Sequence, residues 1–406
     1  MQTSTATTPA QWPVIGALTR LRGWSLAAIA LPLLAGIVYF LTGPMNSGND
    51  VYVPLANAFL HGRFTIDYRS WMELVPTDGS GWLVPFPPAP ALTLMPIVAV
   101  MGSQPWYAEL PSNVMSSILG AANVALAWTM LSAWGVSLKT RVWLVIAFAF
   151  TIHWWVAGSA STHHAYAQVC GVFFTLIALN LAIRQKWPWV GGLMVGLAAA
   201  SRLPMGLALP VVLGFYGYRP RWAHAELLLG LAIPALLVAA YNIARFGSPT
   251  DFGYARIVSA SGPVLSEPWF QEGIISPSYI PRHLYAIFFQ SFDRVDQAPF
   301  LRPSWSGTAI TFTAPFLFWA VAARGRVAIG LAAAVVLIML PDLMHGTWGF
   351  AQFGYRFMLD AMPVLLLLLG LVWRDRISLP ARAAIVFSVA IHAYAFYAIF
   401  ALNFVA

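Results

Sequence analysis

Asp50 lies in the segment Gly43-Pro-Met-Asn-Ser-Gly-Asn-Asp-Val-Tyr52, shortly after an uncharged run from Trp24 to Thr42. A carboxylate there can take a proton from a substrate hydroxyl. It can equally cap a helix running through Leu55, Ala56, Phe59 and Leu60, and the two roles are compatible. Glu73 follows in the same segment, with Asp67 and Asp78 on either side. A second acid of this kind orients an acceptor, holds a divalent cation, or is simply solvated. His163 and His164 are adjacent at one end of a hydrophobic run. Neighbouring positions on a helix point in different directions, so the expectation is a poor chelating pair. One of them hydrogen-bonds a phosphate or hydroxyl, or both are ordinary interfacial histidines.

The basic residues complement these acids. Arg202 sits in Ser201-Arg-Leu-Pro204, between two apolar stretches. An arginine at such a depth is costly and normally faces a partner or a polar cavity. Its planar fork matches phosphate oxygens, although an outer carboxylate or the interface would also satisfy it. Arg356, in Phe353-Gly-Tyr-Arg-Phe357, lies at another helix entrance. Arg245 and Arg256 bracket Phe246-Gly-Ser-Pro-Thr-Asp-Phe-Gly-Tyr254, whose glycines permit tight turns and whose rings suit an interface or a sugar face. Tyr52, Tyr254, Arg256, Glu73 and His345, the last in His345-Gly-Thr-Trp-Gly349, are candidates for the acceptor or loop side of a site.

The elements that must hold these groups are membrane helices. The chain is 59% hydrophobic and 9% charged over 406 residues, with a mean hydropathy of +0.72. That composition predicts an all-α polytopic membrane protein and excludes a soluble domain. Uncharged runs rich in Leu, Ala and Val do not read as the short alternating strands of a barrel. A lone cysteine, Cys170, rules out an intramolecular disulfide and any cysteine-built metal centre. The net charge of +8 reads as basic cytoplasmic loops, with no nucleic-acid partner implied. Residues 1–19 read as a disordered cytoplasmic tail and the first span as an uncleaved anchor.

Basic pairs recur between the hydrophobic runs: Lys139/Arg141, Arg184/Lys186, Arg219/Arg221, Arg324/Arg326 and Arg374/Arg376. Placing them inside, with Arg20 and Arg22, predicts about eleven spans: 24–42, 112–134, 141–157, 165–183, 189–201, 204–218, 224–243, 307–323, 327–344, 360–373 and 383–402. Residues 86–101, with four prolines, are expected to be interfacial or re-entrant. This threading puts Asp50, Ser161-Thr-His-His164, Arg202, the 245–254 segment, His345 and Arg356 on one outer face. Outer segments of about 43–111 and 244–306 join them, the first carrying an interfacial helix.

Several chemistries leave no trace. There is no Walker lysine motif, no GxGxxG entering a helix and no HExxH. Gly191-Gly-Leu-Met-Val-Gly196 reads as small-residue helix packing. No internal repeat or matched pair of broken helices is evident, which counts against a transporter of inverted repeats.

In order along the chain, Asn49-Asp-Val-Tyr52 with Ala56-Asn-Ala-Phe-Leu-His-Gly-Arg63, then Val84-Pro-Phe-Pro-Pro-Ala-Pro90, then Gly196-Leu-Ala-Ala-Ala-Ser-Arg-Leu-Pro204, then Tyr241-Asn242 with Arg245-Phe-Gly-Ser-Pro249, then Trp348-Gly349 with Gly354-Tyr-Arg-Phe357 make up a pattern. Over about residues 20–400 that pattern resembles the membrane glycosyltransferases of the GT-C superfamily, in the branch of protein O-mannosyltransferases and bacterial aminoarabinose transferases. The resemblance implies a single transmembrane domain over 20–406 and inverting transfer of a sugar from a polyprenyl-phosphate donor to an acceptor hydroxyl. Asp50 would be the general base, and Arg202 or Arg356, with His163 and His164, would meet the donor phosphate. No cofactor is implied and a divalent metal is optional. The acceptor would be a lipid, glycan or protein, and the location the bacterial inner membrane with the site facing outward. Many relatives carry two adjacent acids where this chain has Asn49-Asp50, and a large soluble domain of some relatives has no counterpart here. The competing reading is a transporter or flippase of lipid-linked sugars, followed by a non-catalytic scaffold.

Overall fold

Where a chain must cross lipid, each backbone amide has to be satisfied within its own segment, and the uncharged runs fold accordingly as helices. The computed structural model describes residues 26–43, 50–70, 73–79, 81–102, 110–159, 163–217, 220–254, 256–257 and 272–406. The expected tail 1–19, Asn49 and Ser161-Thr162 lie outside them. In chain order the helices are α1 (Leu26–Thr42), α2 (Tyr52–Leu60), α3 (Ala89–Met101), α4 (Leu110–Ala133), α5 (Leu138–Ala149), α6 (Ile152–Gly158), α7 (His163–Ile183), α8 (Pro188–Ala199), α9 (Leu209–Tyr216), α10 (Arg221–Phe246), α11 (Ile280–Phe288), α12 (Ile310–Thr313), α13 (Arg326–Leu343), α14 (Met358–Val372) and α15 (Leu379–Phe396). A further π-helical turn extends the last helix over Tyr397–Ala401.

Among the described residues, five helical segments are long and apolar enough to cross a membrane: α4, α7, α10, α13 and α15 with its extension. Counting α5 and α6 as one span bent by 46° makes six. The shorter apolar helices α1, α3, α8 and α14, and the stretch Leu203–Tyr216, fall short of that length. The faces turned outward are apolar: Leu26, Leu33 and Leu41 on α1, Leu229 and Leu236 on α10, Ile329 and Val336 on α13 are all exposed. Lipid, not water, suits such surfaces. α7 lies at the centre and is buried on nearly every side.

One expectation is corrected and another is refined. Residues 307–323 do not form one continuous helix; they give α12 and a 3-10 stretch, Pro315–Ala322. Pro315 supplies no amide and disfavours helical geometry at Ala314, so the helix stops there. The break at Ser201–Pro204 is real, but α8 resumes only through a 3-10 turn, Leu203–Ala208, before α9. α2 is packed into the protein: Tyr52, Val53, Pro54, Leu55, Ala56 and Ala58 are all buried.

The loops cluster at the helix ends. At one end the amide of Ser137 donates to the Arg374 carbonyl (2.8 Å), and the Ser137 hydroxyl to the Asp375 carbonyl (2.8 Å). Tyr216 Oη donates to the Lys186 carbonyl (2.5 Å). At the other end the first outer segment adds a sheet of three two-residue strands, β1 (Thr65–Ile66), β2 (Val75–Pro76) and β3 (Trp82–Leu83), ordered β1-β3-β2. Thr65 pairs with Leu83 and Val75 with the same Leu83 on its other side, both antiparallel. A second small antiparallel pair, β4 (Asp293–Arg294) and β5 (Leu301–Arg302), carries an Asp293–Arg302 ion pair.

Candidate active site

The first outer sheet decides which acid faces inward. Arg63 and Asp67 form an exposed ion pair four residues apart. Asp78 is exposed within the connection from β2 to β3. Glu73, two residues before β2, points instead toward the first turn of α7. Its Oε2 lies 3.5 Å from Nε2 of His164 and 3.9 Å from Nε2 of His163. Burial acts to raise the Glu73 pKa, yet the two imidazoles outweigh it and hold the carboxyl well below the ordinary range. The expectation that adjacent histidines diverge is therefore overturned. The rings lie 3.8 Å apart between centroids, because an acid from another segment draws both tips toward itself. His163 is fixed between Phe86, 4.6 Å away and tilted by 31°, and the edge of Tyr52.

Asp50 has a different setting. It is buried, and its Oδ1 accepts from the amides of Tyr52 (2.7 Å) and Val53 (3.2 Å). These are free amides of the first turn of α2, so the cap is present. Oδ2 accepts a hydrogen bond from the Ser112 hydroxyl on α4. Asp50 thus ties the first outer segment to the bundle.

Arg202 enters from the break after α8 and is met by two acids that sequence reasoning missed. Nη2 lies 2.6 Å from Oδ1 of Asp342 at the end of α13, and Nε pairs with Oδ2 of Asp360 on α14. Its guanidinium also lies 4.6 Å from the Phe357 ring centre. Only a buried cation on the far side of the fold makes sense of two carboxylates at these helix ends, and that juxtaposition has no local signal.

Arg356 is placed otherwise. It is 6% exposed, and it takes part in no ion pair among the described residues. Nη1 donates to Oε1 of Gln168 on α7 (3.3 Å), while Nε is buried without a hydrogen-bond partner. Gln168 passes the contact on, donating from Nε2 to Oδ1 of Asp360 (2.7 Å). Burial first, and then the nearby Arg202 charge, lower the Arg356 pKa to about 9, which leaves it charged at neutral pH. Gly349 makes room for it: a Cβ there would stand 3.0 Å from Arg356 Nε, and its φ of +100° favours glycine.

These groups share a cavity of ≈ 420 Å³. Its polar wall carries Glu73, His164, Arg202, Arg356, Asp342 and His345, and its apolar wall includes Phe86, Ile257, Ile275 and Phe357. Tyr52 and Tyr254 line it too, whereas Asp50 and Arg256 do not. Arg256 is instead half-exposed and paired with Asp251 at 3.0 Å. His345 is held by a clamp: the Thr347 amide donates to its Nδ1 (3.1 Å), and its carbonyl contacts Nε2 of His283 (2.8 Å). His283 Nδ1 in turn meets the Tyr355 hydroxyl (2.6 Å). His283 was not singled out in the sequence, where nothing marks it within the amphipathic α11.

The chemistry available is anion binding beside an apolar trough, with a carboxylate and two imidazoles across from the guanidinium. No family model matches the chain, and no curated protein matches it. Among solved structures it is similar to ArnT from Cupriavidus metallidurans bound to undecaprenyl phosphate, at 14% identity and a TM-score of 0.48 over 90% of this chain and 63% of that one. The apo state of that protein gives 16% identity and a TM-score of 0.49, with 90% and 63% covered. The apo Archaeoglobus fulgidus oligosaccharyltransferase gives 14% identity and a TM-score of 0.43, with 93% and 55% covered. The chain spans less than two thirds of the length of each of these structures.

Proposed function

We propose that this chain is a membrane glycosyltransferase that moves a sugar from a polyprenyl-phosphate donor to an acceptor hydroxyl. The observation that carries this reading is Arg356: a buried guanidinium at a cavity wall, with no ion-pair partner among the described residues and with Nε unbonded. Keeping a charge in that state is expensive unless an anion arrives to complete it. The neighbouring apolar wall suits an isoprenoid chain, and Tyr52 and Tyr254 supply flat aromatic surface of the kind sugars stack on. The motif order along the sequence, which resembles the GT-C superfamily, names the reaction class.

In this reaction the donor phosphate lies against Arg356, and Arg202 contributes field while remaining tied to Asp342 and Asp360. The acceptor oxygen attacks the anomeric carbon from the face opposite the phosphate. The carbon–oxygen bond to phosphate breaks with its electron pair going to the phosphate, and the acceptor proton passes to a base. Asp50 is the proposed base: it stands behind the cavity wall, bonded to the amide of the lining Tyr52, and takes that role when an acceptor hydroxyl reaches past the wall to replace Ser112 at Oδ2. The acceptor is a lipid, glycan or protein hydroxyl, and the proposed orientation keeps the basic loops in the cytoplasm and opens the cavity outward.

The test uses purified protein in lipid nanodiscs with a panel of radiolabelled polyprenyl-phosphate sugars and envelope extract. Labelled sugar is expected to appear in acceptor from at least one donor, and Arg356→Ala is expected to lose that transfer. A protein that binds the lipid donors but moves sugar from none would overturn the enzyme in favour of a transporter.

A further inference from the structure

We infer that Gln168 is a positioning residue for the transfer reaction: its side-chain amide stands between Arg356 and Asp360 and keeps the guanidinium out of an ion pair, ready for the donor phosphate. Oε1 accepts from Nη1 of Arg356 (3.3 Å). Nε2 donates to Oδ1 of Asp360 (2.7 Å) and to the Arg356 carbonyl (3.1 Å). Gln168 lies in the second turn of α7 and is fully buried, so water does not compete for these bonds.

The acid and the base are placed where they would otherwise meet. Arg356 and Asp360 are four residues apart, a spacing at which helical side chains pair. The chain is already turning there, since the Leu359 amide donates to the Arg356 carbonyl (3.0 Å). A direct pair would neutralise Arg356 and leave it little with which to attract an anion. Among side chains of this length only glutamine presents both a donor and an acceptor without a charge. A carboxylate only accepts and a guanidinium only donates, so the two neighbours also fix which way the amide points. Methionine would bond neither of them. Glutamate would set a second acid against Asp360 and an ion-pair partner against Arg356.

The other oxygen of Asp360 is taken by Arg202, so the acid is satisfied from both sides without Arg356. A second amide holds the main chain of Arg356. Oε1 of Gln352 accepts from the Arg356 amide (3.1 Å), and its Nε2 donates to the carbonyls of Ser306 (2.8 Å) and Trp348 (2.9 Å). Space is kept for it by glycines: a Cβ on Gly307 would stand 2.9 Å from Gln352 Cγ, and one on Gly349 would stand 2.9 Å from its Oε1. Both parts of Arg356 are thus held by neutral amides, which fix its position and add no counter-charge. That Arg356 receives a phosphate rests on the transfer reading above. That Gln168 holds it apart from Asp360 rests on these contacts alone.

The experiment titrates full-length protein in lipid nanodiscs with farnesyl phosphate. Gln168→Glu should weaken binding at neutral pH by at least about 10-fold, the lower end of the coupling between close charges. Protonation turns the introduced carboxyl into an uncharged donor and acceptor like the amide, so the deficit relative to wild type should shrink as pH falls through the carboxylate range. A merely structural defect has no such dependence. Exchanging the two groups, Gln168→Glu with Asp360→Asn, keeps the summed charge, and it should still bind weakly because the negative charge now lies against Arg356. Wild-type affinity in Gln168→Glu at neutral pH, or a deficit equal at every pH, would overturn the role of Gln168. Thermal unfolding without ligand reads the same contact independently. In a double-mutant cycle, Gln168→Glu should stabilise more, or destabilise less, with Arg356 present than in Arg356→Ala, and additive effects would also overturn the role. Should wild type bind no farnesyl phosphate, the transfer reading falls, and the unfolding cycle still decides whether Gln168 separates the two charges.

Discussion

Arg202 and Arg356 share one cavity but stand in opposite electrostatic states, and this sets what each substitution does. Arg202 neutralises two buried carboxylates, so Arg202→Ala strands both and should cost about 3–5 kcal/mol of stability. Arg356 has no such debtors: Arg356→Ala should leave thermal unfolding near wild type while lowering donor affinity by about 100-fold, in line with a lost charged hydrogen-bonding partner. Equal destabilisation by both, read from thermal unfolding with lipid-phosphate binding measured alongside, would remove the distinction. Asp50 allows a similar separation of roles. Asparagine caps a helix about as well as aspartate, so Asp50→Asn keeps the α2 cap and removes only the base. Transfer should then vanish with the unfolding temperature little changed. Asp50→Ala should lose the cap as well, at about 1 kcal/mol, and Ser112→Ala should retain transfer. Full turnover by Asp50→Asn would place the base elsewhere. The cap was legible from the segment before α2, because capping is a local matter. The convergence of His163, His164 and Glu73 was not: whether two adjacent imidazoles point together depends on an acid brought in by a sheet nearly a hundred residues away in sequence.

At the scale of elements, helix packing in the bundle is set in one place by backbone touching backbone. Gly192 on α8 faces the Leu227 carbonyl on α10, and Gly230 on α10 faces the Trp189 carbonyl on α8, each so close that no Cβ fits. Gly191 and Gly196 are similarly tight, against Tyr216 and Pro234. The reading of 191–196 as small-residue packing, with no phosphate loop, is thus realised in contacts. Gly192→Ala or Gly230→Ala must force the helices apart and should cost about 1–3 kcal/mol. Gly330→Ala, on α13 with open space around it, should instead be neutral or stabilise by up to about 1 kcal/mol from helix propensity. Thermal unfolding of the three variants checks the contrast, and a neutral Gly192→Ala would show that α8 and α10 do not meet as described. Long uncharged helices were easy to read, since lipid demands both length and apolarity. The two-residue strands β1, β2 and β3 were not, because so short a strand has no alternation to detect. Residues 307–323 misled for the opposite reason: their composition is that of a span, and only Pro315 marks the interruption.

For the whole molecule, the cavity and the loops bearing Lys139, Lys186 and Arg374 are built from opposite ends of the same helices: α7 begins at His163, beside the cavity-lining His164, and ends just before Arg184. Glu73, His164, Arg202, His345 and Arg356 meet in one cavity, whereas Ser137 joins the loop bearing Lys139 to the one bearing Arg374, and Tyr216 at the end of α9 joins the loop bearing Lys186. Sequence charge gave no sign that Asp342 and Asp360 close around Arg202. The proposed sidedness keeps the basic loops in the cytoplasm. Cysteine scanning tests it directly, since the native Cys170 is fully buried and should not react. Gly79→Cys, on the exposed connection between β2 and β3, should label with a membrane-impermeant maleimide on intact cells, or on spheroplasts if an outer membrane is present. Arg324→Cys, beside the start of α13 at the other end, should label only once the membrane is opened. The opposite pattern would put the cavity in the cytoplasm, where water-soluble activated donors are at hand, and would remove the reason for a lipid-borne one. The labelling therefore bears on the donor as well as the topology: a cavity that opens outward has no access to cytoplasmic nucleotide sugars, and its apolar wall then has an isoprenoid chain to receive.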